Sequence, residues 1–124
     1  MEYQQKMAKI NTKIIYDSED DILLLSKGRK VKASIDIGDF IIDVDTNGFI
    51  SGIEILNASE NLKIPEEQLK ELREVSMSVT YKPNCAYIYL IMKSETKEKD
   101  ITIPLTVDLG HGSVRTEKTT FAIA

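Results

Sequence analysis

The segment DVDTNGFISGIE, residues 43–54, puts Asp43, Asp45, Asn47, Gly48 and Glu54 at the spacing of a calcium-binding loop. Side-chain oxygens at the first, third and fifth positions and a glutamate at the twelfth would surround a hard cation, provided helices enter and leave the loop. The flanks argue against helices, because Ile41, Ile42 and Val44 are β-branched and lie just after Gly38. Asn47-Gly48 is the strongest short signal for a two-residue type I′ hairpin turn. In that register Thr46 faces Phe49, Val44 faces Ser51, Ile42 faces Ile53 and Phe40 faces Ile55. One face then gathers Phe40, Ile42, Val44, Phe49, Ile53 and Ile55, and the other carries Asp43, Asp45 and Glu54 with Ile41, Ile50 and Gly52. A one-residue slip would scramble this sorting, so the hairpin is the preferred reading. It leaves three carboxylates on one surface, enough for weak divalent-ion binding but short of the roughly six to eight oxygens calcium takes.

Other groups capable of chemistry are sparse. YDSEDD places Asp17, Glu19, Asp20 and Asp21 in a hairpin connection, read as a solvated Asx-type turn or as a docking site for a basic partner. KGRKVK gathers Lys27, Arg29, Lys30 and Lys32 around a second turn, read as solvated. Cys85 and His111 are each the one residue of their kind, which excludes an intrachain disulfide and a thiolate metal cluster. They could meet as nucleophile and base, but a small residue at a strand start and a loop imidazole is the preferred account. There is no glycine-rich phosphate loop and no serine–histidine–acid set. A carboxylate-based enzyme would need a pocket with raised carboxylate pKa values, and no cofactor or metal centre is expected.

The elements that hold these groups follow from alternation. In VKASIDI the apolar set is Val31, Ala33, Ile35 and Ile37; in VSMSVTY it is Val75, Met77, Val79 and Tyr81; in ITIPLTV it is Ile101, Ile103, Leu105 and Val107. Pro104 cannot donate to a ladder, so its strand belongs at a sheet edge. ILLLS and AYIYLIM are apolar on both faces, as in central strands covered on both sides. IPEEQLKELRE reads as a helix near residues 65–74, with Pro65 and two acids in its first turn and a narrow stripe of Leu69 and Leu72 with Ile64 or Leu62. INTKIIYDSEDDILLLS and VSMSVTYKPNCAYIYLI superpose at an offset of 65, matching Ile14 to Val79, Tyr16 to Tyr81, Leu23 to Ile88 and Leu25 to Leu90, and VDTNG resembles VDLGHG further on.

At 124 residues, with 42% hydrophobic and 29% charged side chains, the chain is read as one α+β domain. A flexible segment 1–11 leads into it. Halves 12–62 and 75–124, joined by the helix, build an antiparallel sheet of about seven or eight strands with the helix covering one face. Residues 1–62 hold 11 acidic and 7 basic side chains, while residues 63–124 hold 9 of each. Neither half has the basic excess of a nucleic-acid-binding surface. No apolar run suggests a signal peptide or membrane span, so the reducing cytoplasm is the default location.

Tyr16, Asp17, Asp21, Leu23 and Leu25, followed by Asp45, Gly48 and the GIEILNAS stretch Gly52–Ser59, resemble a small prokaryotic family, the domain of unknown function 2283. The resemblance spans about residues 13–62, and YKPNCAYIYL looks like a decayed second copy of its opening hairpin. The family's Leu-Tyr-Ile has Leu24 for its tyrosine here, and Ala86 stands where the second half would need the aspartate. The resemblance implies a small α+β protein with no assigned activity, and antitoxin-like pairing with a small toxin. The function expected is therefore a non-enzymatic module that binds another protein through Asp17, Glu19, Asp20, Asp21, Asp43, Asp45 and Glu54. The alternatives are a weak metal- or small-ligand-binding sheet protein and a carboxylate enzyme. Exposed sheet edges leave room for a homodimer.

Overall fold

Alternating apolar residues build strands in both halves of the chain. The structure, a computed structural model, describes residues 12–95, 97–105 and 114–122. The first half forms β1 (Lys13–Asp17), β2 (Ile22–Ser26), β3 (Val31–Ile37), β4 (Phe40–Asp45) and β5 (Ile50–Ile55). Two short helices follow, α1 (Ala58–Leu62) and α2 (Glu66–Lys70). The second half forms β6 (Glu74–Tyr81), β7 (Ala86–Lys93), β8 (Glu98–Leu105) and β9 (Arg115–Ala122).

These strands make two sheets instead of the expected one. The first has the order β1-β2-β5-β4-β3 and the second β8-β7-β6-β9, with antiparallel pairing throughout. The physical reason is that each half sorts its apolar residues onto one face, and a five-residue helix cannot cover such a face. Each sheet therefore covers the other. Leu23, Leu25, Ile42 and Ile53 from the first meet Val75, Met77, Val79, Ile88 and Leu90 from the second in one buried core.

The β3–β4–β5 meander returns β5 beside β2, a Greek-key arrangement. Residues 27–30 alone carry the chain from β2 past β5 and β4 to the far edge at β3. The expected helix over 65–74 is shorter, because the Arg73 N–H already donates to the Lys93 carbonyl at 2.9 Å and Glu74 begins β6. Its stripe is nonetheless buried as expected, through Leu62, Ile64, Leu69 and Leu72.

Two further expectations change. ILLLS and AYIYLIM are interior strands, yet only one face of each is covered: Ile22 and Leu24 stay half-buried, while Tyr87 and Tyr89 are 39% and 36% exposed. Among the described residues the repeat takes in the two hairpins, which differ in register. Tyr16 pairs with Leu23 but Tyr81 pairs with Ala86, a two-residue difference in register, and the strands flanking the hairpins are connected differently. Pro104 does lie in an edge strand, since β8 pairs with β7 alone. Residues 1–11, Val107, the VDLGHG stretch and His111 lie outside the described residues.

Candidate functional site

The chain reverses at residues 46–49 between two strands, but by a different turn from the one Asn47-Gly48 suggests. The Gly48 N–H donates to the Asp45 carbonyl at 3.0 Å, and the Asp45 N–H donates to the Phe49 carbonyl at 2.8 Å. Gly48 has φ 83° while Asn47 keeps a negative φ. This is a three-residue loop closed by a glycine bulge, since a type I′ turn would need positive φ at both central positions. Asp45 selects it: its Oδ1 accepts the N–H groups of Asn47 at 2.9 Å and Phe49 at 3.0 Å. Ile42 faces Ile53 and Phe40 faces Ile55 as expected, but Val44 faces Ile50 instead of Ser51. That shift swings Ile50 from the carboxylate side into the core, where its N–H donates to the Tyr81 hydroxyl at 2.8 Å.

The seven expected contact carboxylates do not form one surface. Asp45 is 2% exposed and ion-paired to Arg29 at 3.2 Å, so it is consumed inside the fold. Asp21, with φ 54°, accepts hydrogen bonds from the Tyr16 hydroxyl at 2.6 Å and from the Ser59 hydroxyl and N–H at 2.6 and 3.1 Å. It thereby fastens the start of α1 to the first hairpin, a role the Asn57 side chain does not fill. Partial burial pushes its carboxyl upward, but the Ser59 and Tyr16 hydrogen bonds outweigh this and hold it below the usual carboxylate range. Asp17 organises its turn by accepting the N–H groups of Glu19 and Asp20 at 3.0 and 3.2 Å, and all three residues are exposed. Asp43 accepts the Ser34 hydroxyl at 2.9 Å, and Glu54 stands half-buried on the neighbouring strand. No group of three such side chains among the described residues is placed to hold a metal ion.

The basic turn is not uniformly solvated either. Lys27 is 7% exposed and pairs with Glu117 of β9 at 3.2 Å, joining the two sheets. The Tyr81 hydroxyl lies 3.4 Å from the same carboxylate, and burial pushes its phenol pKa well up. Arg115 lies 3.6 Å from the other Glu117 oxygen and over the Phe49 ring at 4.5 Å. Sequence reasoning passed over this cluster, although parity pointed to it. Lys27 continues the inward series Leu23, Leu25, and Glu117 sits opposite inward Val79.

On the solvent side of the first sheet, Ile15, Leu24, Glu54, Ile41 and Asp36 form a row crossing all five strands. Ile15 is 50% exposed, and Leu24, Glu54 and Ile41 are half-buried. The adjacent row is Lys13, Ser26, Gly52, Asp43 and Ser34. An apolar band thus lies open on a sheet whose charged members are mainly carboxylates.

Asp45 also gives the fold an acid limit. Burial pushes its carboxyl up, but the Phe49 and Asn47 N–H groups and Arg29 more than offset this and lower its pKa. Its stabilising contribution is complete above the unfolded value of about 3.9 and is lost as pH falls through the folded value. Asp45→Asn should therefore lower the melting temperature near neutral pH and flatten its decline between roughly pH 5 and pH 2. Parallel melting curves for both proteins across that range would contradict this role.

No helix among the described residues is long and apolar enough to cross a membrane. Sixty-one residues are 46% identical to an uncharacterised protein of Methanocaldococcus jannaschii, covering 48% of this chain and 53% of that protein. Sixty-three residues are 35% identical to a Methanosarcina mazei protein described as "Putative hypoxanthine phosphoribosyltransferase", covering 50% and 51%. The chain spans about half the length of these curated relatives. No solved structure matches it significantly. Residues 13–59, from the first residue of β1 to the Ser59 that Asp21 holds, match the family described as "Protein of unknown function (DUF2283)", a span that takes in the whole first sheet.

Proposed function

We propose that the chain is a non-enzymatic protein-interaction module whose contact surface is the outer face of the first sheet. The observation that carries this reading is the uncovered apolar band. β2 has the composition of a strand buried on both sides, yet among the described residues Ile22, Leu24 and Ile41 stay only half-buried on this face and Ile15 is 50% exposed. Asp36, Asp43 and Glu54 lie within this face, and Asp17 with Glu19 and Asp20 sits at its margin. The matching partner is a protein with an apolar centre and a basic rim. A small toxin neutralised by this chain would be one such partner, in a cytoplasm that keeps Cys85 reduced.

Asp21 and Asp45 are left out of the contact, because both carboxylates are committed within the fold. Charge reversal therefore belongs at the exposed residues. Glu19→Lys combined with Asp36→Lys should weaken binding to a partner recovered from native lysate by about tenfold at low salt, and by less at high salt. The melting temperature should hardly move, since neither side chain is buried. Equal affinity of the two proteins at low salt would overturn the assignment.

A further inference from the structure

Behind α2, at the β7–β8 end of the second sheet, lies a cleft of about 260 Å³. Its floor is apolar, made by Ile64, Leu72 and Met92, each no more than 5% exposed. Its rim carries Lys63, Lys97 and Lys99. The Lys99 ammonium is held there by donating to the Lys63 carbonyl at 3.0 Å, which leaves its other protons for a ligand. Among the described residues, none of the three lysines is ion-paired. The carboxylate that also lines the cleft, Glu98, is drawn instead to Lys93 at 3.8 Å. A chain with more acids than bases thus places three lysines around a greasy floor.

We infer that this cleft binds a small amphipathic anion: a carboxylate or phosphate ester held by Lys97, Lys99 and Lys63, with a short hydrocarbon portion on Ile64, Leu72 and Met92. The volume suits a ligand of modest size, below the usual drug-sized range. Neither half of the recognition suffices alone, because exposed lysines attract any anion weakly and the floor cannot orient a neutral chain. The inference is independent of the contact surface on the first sheet.

Calorimetry and thermal melting with hexanoate, hexanamide and inorganic phosphate test it on the full chain. Hexanoate should bind saturably and raise the melting temperature, while hexanamide and phosphate at equal concentration should do neither. Lys97→Gln combined with Lys99→Gln removes two of the three ammonium groups and should weaken hexanoate by about tenfold or more. Three results would overturn the inference: no hexanoate binding, equal binding by the variant, or phosphate binding as tightly as hexanoate.

Discussion

Glu117→Leu should cost about 3–5 kcal/mol of unfolding free energy, the usual penalty for stranding one partner of a buried ion pair. Lys27 emerges from β2 on the core side, and its ammonium has the Glu117 carboxylate as its counter-charge between the sheets. Removing that carboxylate leaves the cation in a poorly solvated place. Lys27→Met should cost less, because Arg115 and the Tyr81 hydroxyl still attend Glu117. Joining Lys27→Met to Glu117→Leu should restore most of the lost stability, since a buried pair and an apolar pair of similar volume are often nearly equivalent. Urea unfolding of the three variants reads these differences directly. A double variant as unstable as Glu117→Leu would show that the charges do more than cancel each other.

Gly52→Ala should be the second severe change, at about 1–3 kcal/mol or more for an added methyl with nowhere to go. A Cβ there would stand 2.7 Å from the Leu25 carbonyl oxygen, 3.4 Å from the Ser26 Cα and 3.5 Å from an Asp43 carboxylate oxygen. Two of these are backbone atoms of β2, so relief means moving β5 away from its neighbour. Gly38→Ala is the informative control. Gly38 has φ 56°, so a side chain is strained there by about 1 kcal/mol, yet no atom lies within 4 Å of the added carbon. Gly52→Ala should be the costlier of the two although its backbone is ordinary. The reverse order would mean that the sheet yields at Gly52.

Parity along the strands was legible in the sequence, and so was the core it implies. Val75, Met77, Val79 and Tyr81 point inward as their spacing requires, and the Phe40–Ile55 and Ile42–Ile53 pairings stand. Parity says that a face must be covered and is silent on what covers it, so one lidded sheet and two facing sheets read alike. The turn was misjudged because Asp45, two residues ahead of Asn47, recruits backbone N–H groups and overrides the dipeptide's own preference. The acidic residues were misgrouped for a related reason. A solvated Asp20 and a stapling Asp21 look identical until Ser59, 38 positions away, is seen to meet one of them. The lysine-rimmed cleft joins residues 63–72, in and around α2, with the β7–β8 hairpin, which no local pattern connects.

The most direct test of the account is a quantitative capture from native lysate that compares the two outer faces of the molecule. Ile15→Ser with Ile41→Ser blunts the apolar band on the first sheet, while Tyr87→Ser with Tyr89→Ser alters the second. With melting temperatures matched, the first variant should lose the species that the unmodified chain retains, and the second should keep it. Retention by the first variant and loss by the second would place the contact on the other sheet and contradict the account.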